Sequence, residues 1–324
     1  MLSSFDKCCS TLARNGVVAL PTETVYGLAA NALSESAVKE IYRLKGRPKQ
    51  NPLIIHILES SDADKIAFTD SRFYQLADSL WPGPLSVILK AKEIVPKITT
   101  GGLETVAIRS PRSDIFRSVL KRTKLFLAAP SANISNRVSP TQAFHVEDSF
   151  KNNNLPIYDG GSSTIGLEST VIDLTVSPPE ILRPGPVGKE TLEAVLGENV
   201  LINKKLTSQN PKSPGKNLVH YSPITPLNVY KNEKELFQQK KRDSNSLFIF
   251  PRKFECGTDF ETRNAMSFSE TGITNEISKN LYSILHKADK MQYPSIKSCL
   301  IDEVDAMSIA FNDRLTKAGQ LISS

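Results

Sequence analysis

The chain has 324 residues, 40% hydrophobic and 23% charged, with a formal net charge of +6; that is ordinary for globular protein and sufficient for one large and one small domain, or for two comparable ones. No apolar run approaches the roughly 20 residues a membrane span needs, and the opening "MLSSFDKCCS" lacks the basic stretch and apolar core of a secretory signal. Residues 1–200 hold 22 Lys+Arg against 21 Asp+Glu and residues 201–324 hold 18 against 13, which is not the footprint of a protein that coats nucleic acid with its whole surface.

Taken in chain order, "GVVAL" (16–20) reads as a short strand running into Pro21. "PTETVYGLAA" (21–30) has two readings: a helix start with Thr22 as cap and Glu23 in the first turn, or a threonine hydroxyl presented to a polar ligand. "SESAVKEIYRLKG" spaces Ala37, Ile41 and Leu44 as a helix does, with Ser34 as N-cap and Gly46 as its stop. "NPLIIHIL" is a strand, "SRFYQLADSLW" a helix halted by "WPGP", and "LSVILKA" and "TVAIRSP" are strands. "SDIFRSVLKRT" is a helix, "KLFLAAP" a buried strand, and "STVIDLT" with "PEILRPG" forms two further strands, a candidate hairpin. The first ~200 residues therefore read as one α/β domain.

Residues 204–216, "KKLTSQNPKSPGK", carry four lysines, no acid and no periodicity, and read as a solvated linker. Beyond it, "PLNVY", "SLFIF" and "SCLIDEV" read as strands and "NEKELFQQK" and "NEISKNLYSILHKADKM" as helices, with a last helix starting near Asp305. That order predicts a smaller α/β unit with a parallel, doubly wound sheet. The boundaries are 1–200, a linker over 201–225, and 226–324.

Much common chemistry is excluded. The chain has no G-x-x-x-x-G-K-[ST], no G-x-G-x-x-G, no H-E-x-x-H, no paired C-x-x-C and no G-x-S-x-G. Cys8, Cys9, Cys256 and Cys299 have neither disulfide-framework nor metal-ligand spacing, and read as reduced thiols of a cytoplasmic protein. An anionic substrate must then be held by side-chain cations and loop amides. Lys45 and Arg47 flank Gly46, Arg109 closes "TVAIR", Arg183 follows "EIL", and Ser131 and Asn133 lie in "PSAN" after a buried strand. Carboxyl ends of strands are where open α/β sheets bind ligands, so these groups are expected to converge there. For each cation singly, a solvated or helix-capping role stays open, as does a satisfied core role for His56.

"PTETVYGLAANA", "KGRPKQNPLIIHI", "WPGPLSVIL", "TVAIRSP", "APSANIS", "ESTVIDL" and "ILRPGPV" occur together, in the order seen in threonylcarbamoyl-AMP synthases of the YrdC-like group. The chain resembles that family over roughly residues 5–190, and "HYSP" (220–223) resembles the linker motif of its long form, which adds a small Rossmann-like domain. The resemblance implies a YrdC-like twisted, open mixed sheet with helices, plus that second domain. It implies synthesis of L-threonylcarbamoyl-adenylate and pyrophosphate from L-threonine, bicarbonate and ATP. The product would pass to a threonylcarbamoyl transferase complex for modification of adenosine 37 in tRNA, with Mg2+ carried on the ATP phosphates and no direct protein ligands to metal. Lys45, Arg47, Ser131 and Asn133 match the family's Lys-x-Arg and Ser-x-Asn signature, with Lys45 and Arg47 as the catalytic phosphate clamp. The same pattern sets Asn51, Thr105, Thr141, Arg183 and Tyr221 around the nucleotide, and Thr24, His56, Arg109, Ser131 and Ser169 around the threonine. Two other readings share this domain. An RNA-binding module, with tRNA contact, would show aromatic platforms among its cations, and few are present. A carbamoyl transferase of the hydrogenase-maturation type would carry zinc-type cysteine pairs.

Overall fold

The computed structural model describes residues 2–203, 220–253 and 264–322, which form two compact units. The lysine-rich segment 204–216 lies outside the described residues. The first unit comprises residues 2–135, 139–164 and the chain from 168 to 203; segments 136–138 and 165–167 belong to the second.

The first unit is built on a ten-stranded sheet: β1 (Val18–Leu20), β2 (Gly27–Asn31), β3 (Ile54–His56), β4 (Ala67–Phe68), β5 (Leu85–Ala91), β6 (Thr105–Arg109), β7 (Leu127–Ala128), β8 (Thr170–Asp173), β9 (Glu180–Arg183) and β10 (Leu201–Ile202). Its order is β1-β2-β7-β3-β6-β5-β8-β9-β10, with β4 paired to β5. Strand directions are mixed. β3 and β6 are parallel, β7 runs antiparallel to β3, β5 antiparallel to β6, and β8 and β9 form the expected antiparallel pair.

Helices α1 (Phe5–Ala13), α2 (Glu35–Lys45), α3 (Ser71–Leu80), α4 (Asp114–Thr123), α5 (Ala143–Ser149) and α6 (Lys189–Leu196) complete the unit. Local chemistry sets their ends. Ser34 caps α2 by accepting from the Ala37 N–H, and Gly46, at φ +58°, stops it in the left-handed region. Asp70 and Ser113 cap α3 and α4 in the same way. Val38, Ile41, Phe73, Leu76 and Leu192 pack on the sheet face bearing Ile55, Ile57, Val87 and Ile108. Cys8, Leu12, Phe116 and Val119 form a separate cluster with Leu20, Ala29 and Leu127.

This two-sided burial explains the histidine inside "NPLIIHI". Successive strand side chains alternate between faces. Ile55 and Ile57 enter the main core, so His56 points to the other face, where its ring lies 5.1 Å from Phe116. Arg109 pairs with His56 across β3 and β6 and alternates with core residue Ile108, so it shares that face. Ser86, between Leu85 and Val87, does the same from β5.

The second unit carries a five-stranded sheet, β11 (Leu227–Tyr230), β12 (Leu247–Arg252), β13 (Ala265–Ser269), β14 (Ile296–Cys299) and β15 (Gln320–Leu321), in the order β13-β12-β14-β11-β15. All its pairs are parallel, as the strand–helix order predicts. Among the described residues its helices are α7 (Glu233–Lys240), α8 (Thr274–Lys290) and α9 (Ala306–Ala318). Asp305 caps α9 in a reciprocal box with Ser308. The strand expected over "SCLIDEV" is shifted: β14 ends at Cys299. The Asn312 side chain takes both backbone groups of Ile301, at 3.0 and 2.8 Å, so the chain leaves the sheet there with its polar groups satisfied.

Candidate active site

Residues 21–26 form a loop rather than a helix, followed by β2. Thr22 is the organiser: its Oγ1 accepts from the Thr24 and Val25 N–H groups at 3.2 Å and donates to the Val25 carbonyl at 2.7 Å. This local side-chain turn offers the backbone a cheaper solution than a helix start. The loop is then tied to the segment after β6. The Arg112 N–H donates to Glu23 Oε1 at 3.0 Å, Ser113 Oγ donates to the Pro21 carbonyl at 3.0 Å, and Arg109 Nη1 donates to Thr24 Oγ1 at 2.9 Å. Its other end joins the "PSAN" loop, where the Ala132 N–H donates to the Tyr26 carbonyl at 2.8 Å and Gly27 bridges Ser131.

The centre of this cluster is the ion pair of Arg109 with Glu23, 2.6 Å apart, with side chains 4% and 5% exposed. Arg109 Nε also donates to the Gly83 carbonyl at 3.1 Å. Glu23 Oε2, Arg109 Nη2 and His56 Nδ1 are buried with no hydrogen-bond partner in the protein; Nη2 touches Glu23 as an ion-pair contact off its N–H axes. Buried polar atoms are nearly always satisfied, so a leftover carboxylate oxygen on Glu23 and a leftover imidazole nitrogen on His56, beside the Arg109 ion pair, mark a place where a polar ligand can bind.

Electrostatics fix the charge states. Burial, then the Arg109 charge, pushes the His56 imidazole down to about 3, so it is neutral near pH 7. Burial pushes the Glu23 carboxyl up, but Arg109 and the Arg112 N–H outweigh it and hold it below the usual carboxylate range. The His56 shift has a measurable consequence. An unfolded histidine takes its proton near pH 6.5 and the folded one only near 3. The unfolded state therefore binds more protons across that window, and stability falls as pH drops through it. Between pH 7 and pH 5 the loss is about 2 kcal/mol. Denaturant unfolding of wild type and His56→Asn at the two pH values should show the wild type losing that much relative to the variant. Equal losses would contradict it.

The remaining sequence-predicted residues fall into separate local groups. Lys45, 1% exposed, donates its ammonium to the Ser131 carbonyl (2.5 Å), the Asn133 carbonyl (2.7 Å) and Asn133 Oδ1 (3.5 Å). Burial, then the nearby Arg47 charge, holds its pKa well below that of an ordinary lysine, with Glu168 opposing. Arg47 donates to the carbonyls of Asn51 and Pro52 at 3.2 and 3.1 Å. Both signature cations are thus engaged with loop oxygens. Arg183 donates to the Ser169 carbonyl and to Ser169 Oγ at 3.0 Å each, and Ser169 Oγ shares a 2.8 Å bond with Ser86. Thr141 is buried beside His145, and Thr105 opens β6 half-buried. Tyr221 belongs to the second unit, stacked on Tyr282 at 5.7 Å with the Arg314 guanidinium 5.4 Å from its ring.

The expected convergence at strand carboxyl ends holds in part. His56 and Arg109 end parallel neighbours. Ser131 and Asn133 follow β7, which runs the opposite way, so they leave the sheet at the other strand end; the loop 21–27 bridges the difference. Glu23, Ser86 and Glu168 belong to these clusters and went unassigned in the sequence. Ser86 had a signal, a polar residue at an alternating position of an apolar strand, as with His56. Among the described residues no group of three or more His, Cys, Asp or Glu gathers in metal-binding array, and no helix is long and apolar enough to cross a membrane.

A family model described as Telomere recombination (Sua5/YciO/YrdC) matches residues 10–185, and one described as the threonylcarbamoyl-AMP synthase C-terminal domain matches residues 187–319. The chain is 39% identical to the threonylcarbamoyl-AMP synthase of Pyrococcus abyssi, over 93% of this chain and 90% of that one. It is 36% identical to that of Bacillus subtilis, over 96% and 92%. It is also similar to the crystal structure of P. abyssi Sua5 complexed with L-threonine, with a TM-score of 0.89 at 35% identity, covering 99% of this chain and 98% of that one.

Proposed function

The chain belongs to the threonylcarbamoyl-AMP synthase family, and we infer that it joins L-threonine, bicarbonate and ATP into L-threonylcarbamoyl-adenylate with release of pyrophosphate. One observation supports the reading beyond family membership: Arg109, which donates to the Thr24 hydroxyl, is buried beside Glu23 Oε2 and pairs across the strands with His56, whose Nδ1 is buried without a hydrogen-bond partner. A guanidinium suits the α-carboxylate, and an imidazole with a hydroxyl suits the side-chain hydroxyl.

The threonine ammonium and bicarbonate give an N-carboxylate, with loss of one water and one proton. A carboxylate oxygen then attacks the α-phosphorus while the bond to the leaving pyrophosphate breaks. No protein nucleophile is required. The chain's work is to position the reactants and stabilise charge, which fits a site of Arg, Lys, Ser, Thr and Asn. Lys45, Arg47, Asn51, Thr105, Ser131, Asn133, Thr141 and Arg183 are the nucleotide-side candidates in the first unit, and Thr24, His56, Arg109, Ser131 and Ser169 the threonine side. Magnesium enters as the cation of the ATP substrate. The product then passes, in the cytoplasm, to a threonylcarbamoyl transferase acting on adenosine 37 of tRNA.

The test is pyrophosphate release from ATP with threonine and bicarbonate each omitted. Release should require both, and release indifferent to threonine would overturn the reading. Valine in place of threonine leaves one buried polar group unpaired. It should lower kcat/KM about 30-fold or more, the worth of roughly 2 kcal/mol.

A further inference from the structure

We propose that Glu23, through its unpartnered Oε2, is the receptor for the substrate's α-ammonium group, with the paired Arg109 guanidinium beside it facing the α-carboxylate. The inference rests on the threonine reading above and assigns a residue outside the set argued there. The two side chains meet at 2.6 Å between Arg109 Nη2 and Glu23 Oε1, yet Glu23 keeps a second buried acceptor, Oε2, without a hydrogen-bond partner. An ion pair built only for stability closes on itself, with remaining lone pairs and protons satisfied by neighbours. Here Oε1 is held by the Arg112 N–H and Arg109, while Oε2 is left over. A zwitterion presents the complementary set, a cation and an anion joined through one carbon.

Charge balance supports the assignment. Glu23 and Arg109 neutralise each other before substrate arrives, so a neutral zwitterion adds no net charge to a buried site, whereas a carboxylate alone would. Glu23 is a receptor and not the base. Arg109 keeps its carboxyl too acidic to take the amine proton, so that proton leaves by another route before the N–C bond forms.

The test compares calorimetric binding of L-threonine with that of 2,3-dihydroxybutyrate, the same skeleton without the amine, to the full-length chain. Wild type should prefer threonine by about 10- to 100-fold, the worth of one charge-assisted hydrogen bond. Glu23→Gln should bring the two ligands to within about threefold, because the ammonium contact is lost while the missing counter-charge of Arg109 acts on both ligands alike. Glu23→Asp keeps a counter-charge for Arg109 but withdraws the acceptor, so it should stay folded and narrow the preference as well; it decides the matter if Glu23→Gln does not fold. If either folded variant weakens both ligands equally, Glu23 only orients Arg109 and the proposal is overturned. If wild type binds neither ligand, the threonine reading itself has failed.

Discussion

Arg109→Met should cost the chain about 3–5 kcal/mol of folding stability and abolish threonine binding. The size follows from what the substitution leaves behind. Glu23 is 5% exposed and its counter-ion is Arg109. Methionine fills the volume but leaves a carboxylate in a low-dielectric site with the Arg112 N–H as its remaining donor. The Gly83 carbonyl and Thr24 hydroxyl lose donors too. The sign of the pH dependence then reverses. With Arg109 present, Glu23 titrates below its ordinary value, so the pair's contribution is present above the unfolded carboxyl's pKa and is lost as pH falls. Without Arg109, burial dominates, the folded pKa rises above the unfolded one, and the variant should gain stability relative to wild type on acidification. Glu23→Gln/Arg109→Met should recover much of the loss, giving a favourable coupling energy of about 2 kcal/mol or more in a double-mutant cycle. A cycle that sums to zero would mean the two side chains act independently.

How much of this was legible before folding depends on which force decides each element. Capped helices were readable because their signals are local: Ser34 with Gly46 for α2, Asp305 for α9. His56 was readable as an oddity, since a polar residue in an apolar strand must face something. β2 was not readable. "GLAAN" has no β-branched residue, and its small side chains answer a tertiary demand: a Cβ on Gly27 would meet the Ala129 Cβ at 3.1 Å. Propensity is the weaker term there. Glu23 misled for a related reason. Thr-Glu after a strand is a helix-start pattern, but Thr22 spends its hydroxyl on a turn, and Glu23 is claimed by a partner 86 positions away in the chain. The mixed sheet was legible through the family resemblance and not through local pattern, because whether β7 runs with β3 or against it is set by long-range pairing.

Lys45→Met is the second large effect expected, about 2–4 kcal/mol of stability, and it separates two roles for a signature cation. If Lys45 were mainly a phosphate ligand, its ammonium would be unspent before the nucleotide arrives. Removing it would relieve the burial cost of a lysine that is 1% exposed, so stability would hold or rise while ATP affinity fell. The observed bonds argue otherwise. The ammonium donates to the carbonyls of Ser131 and Asn133 and reaches Asn133 Oδ1, while the Lys45 carbonyl accepts from the Ser135 N–H at 2.8 Å. These bonds strap the 131–135 loop to the end of α2, the positioning role that Lys45→Met sets against the phosphate-clamp role. Methionine would leave two carbonyl oxygens without their charged donor, each worth about 1–3 kcal/mol, offset in part by the lysine's desolvation. Hydrogen exchange should then quicken at residues 131–135, where the nucleotide-side groups Ser131 and Asn133 sit, and threonine and ATP should both bind more weakly. Unchanged exchange and stability, with a defect confined to ATP, would return Lys45 to the phosphate.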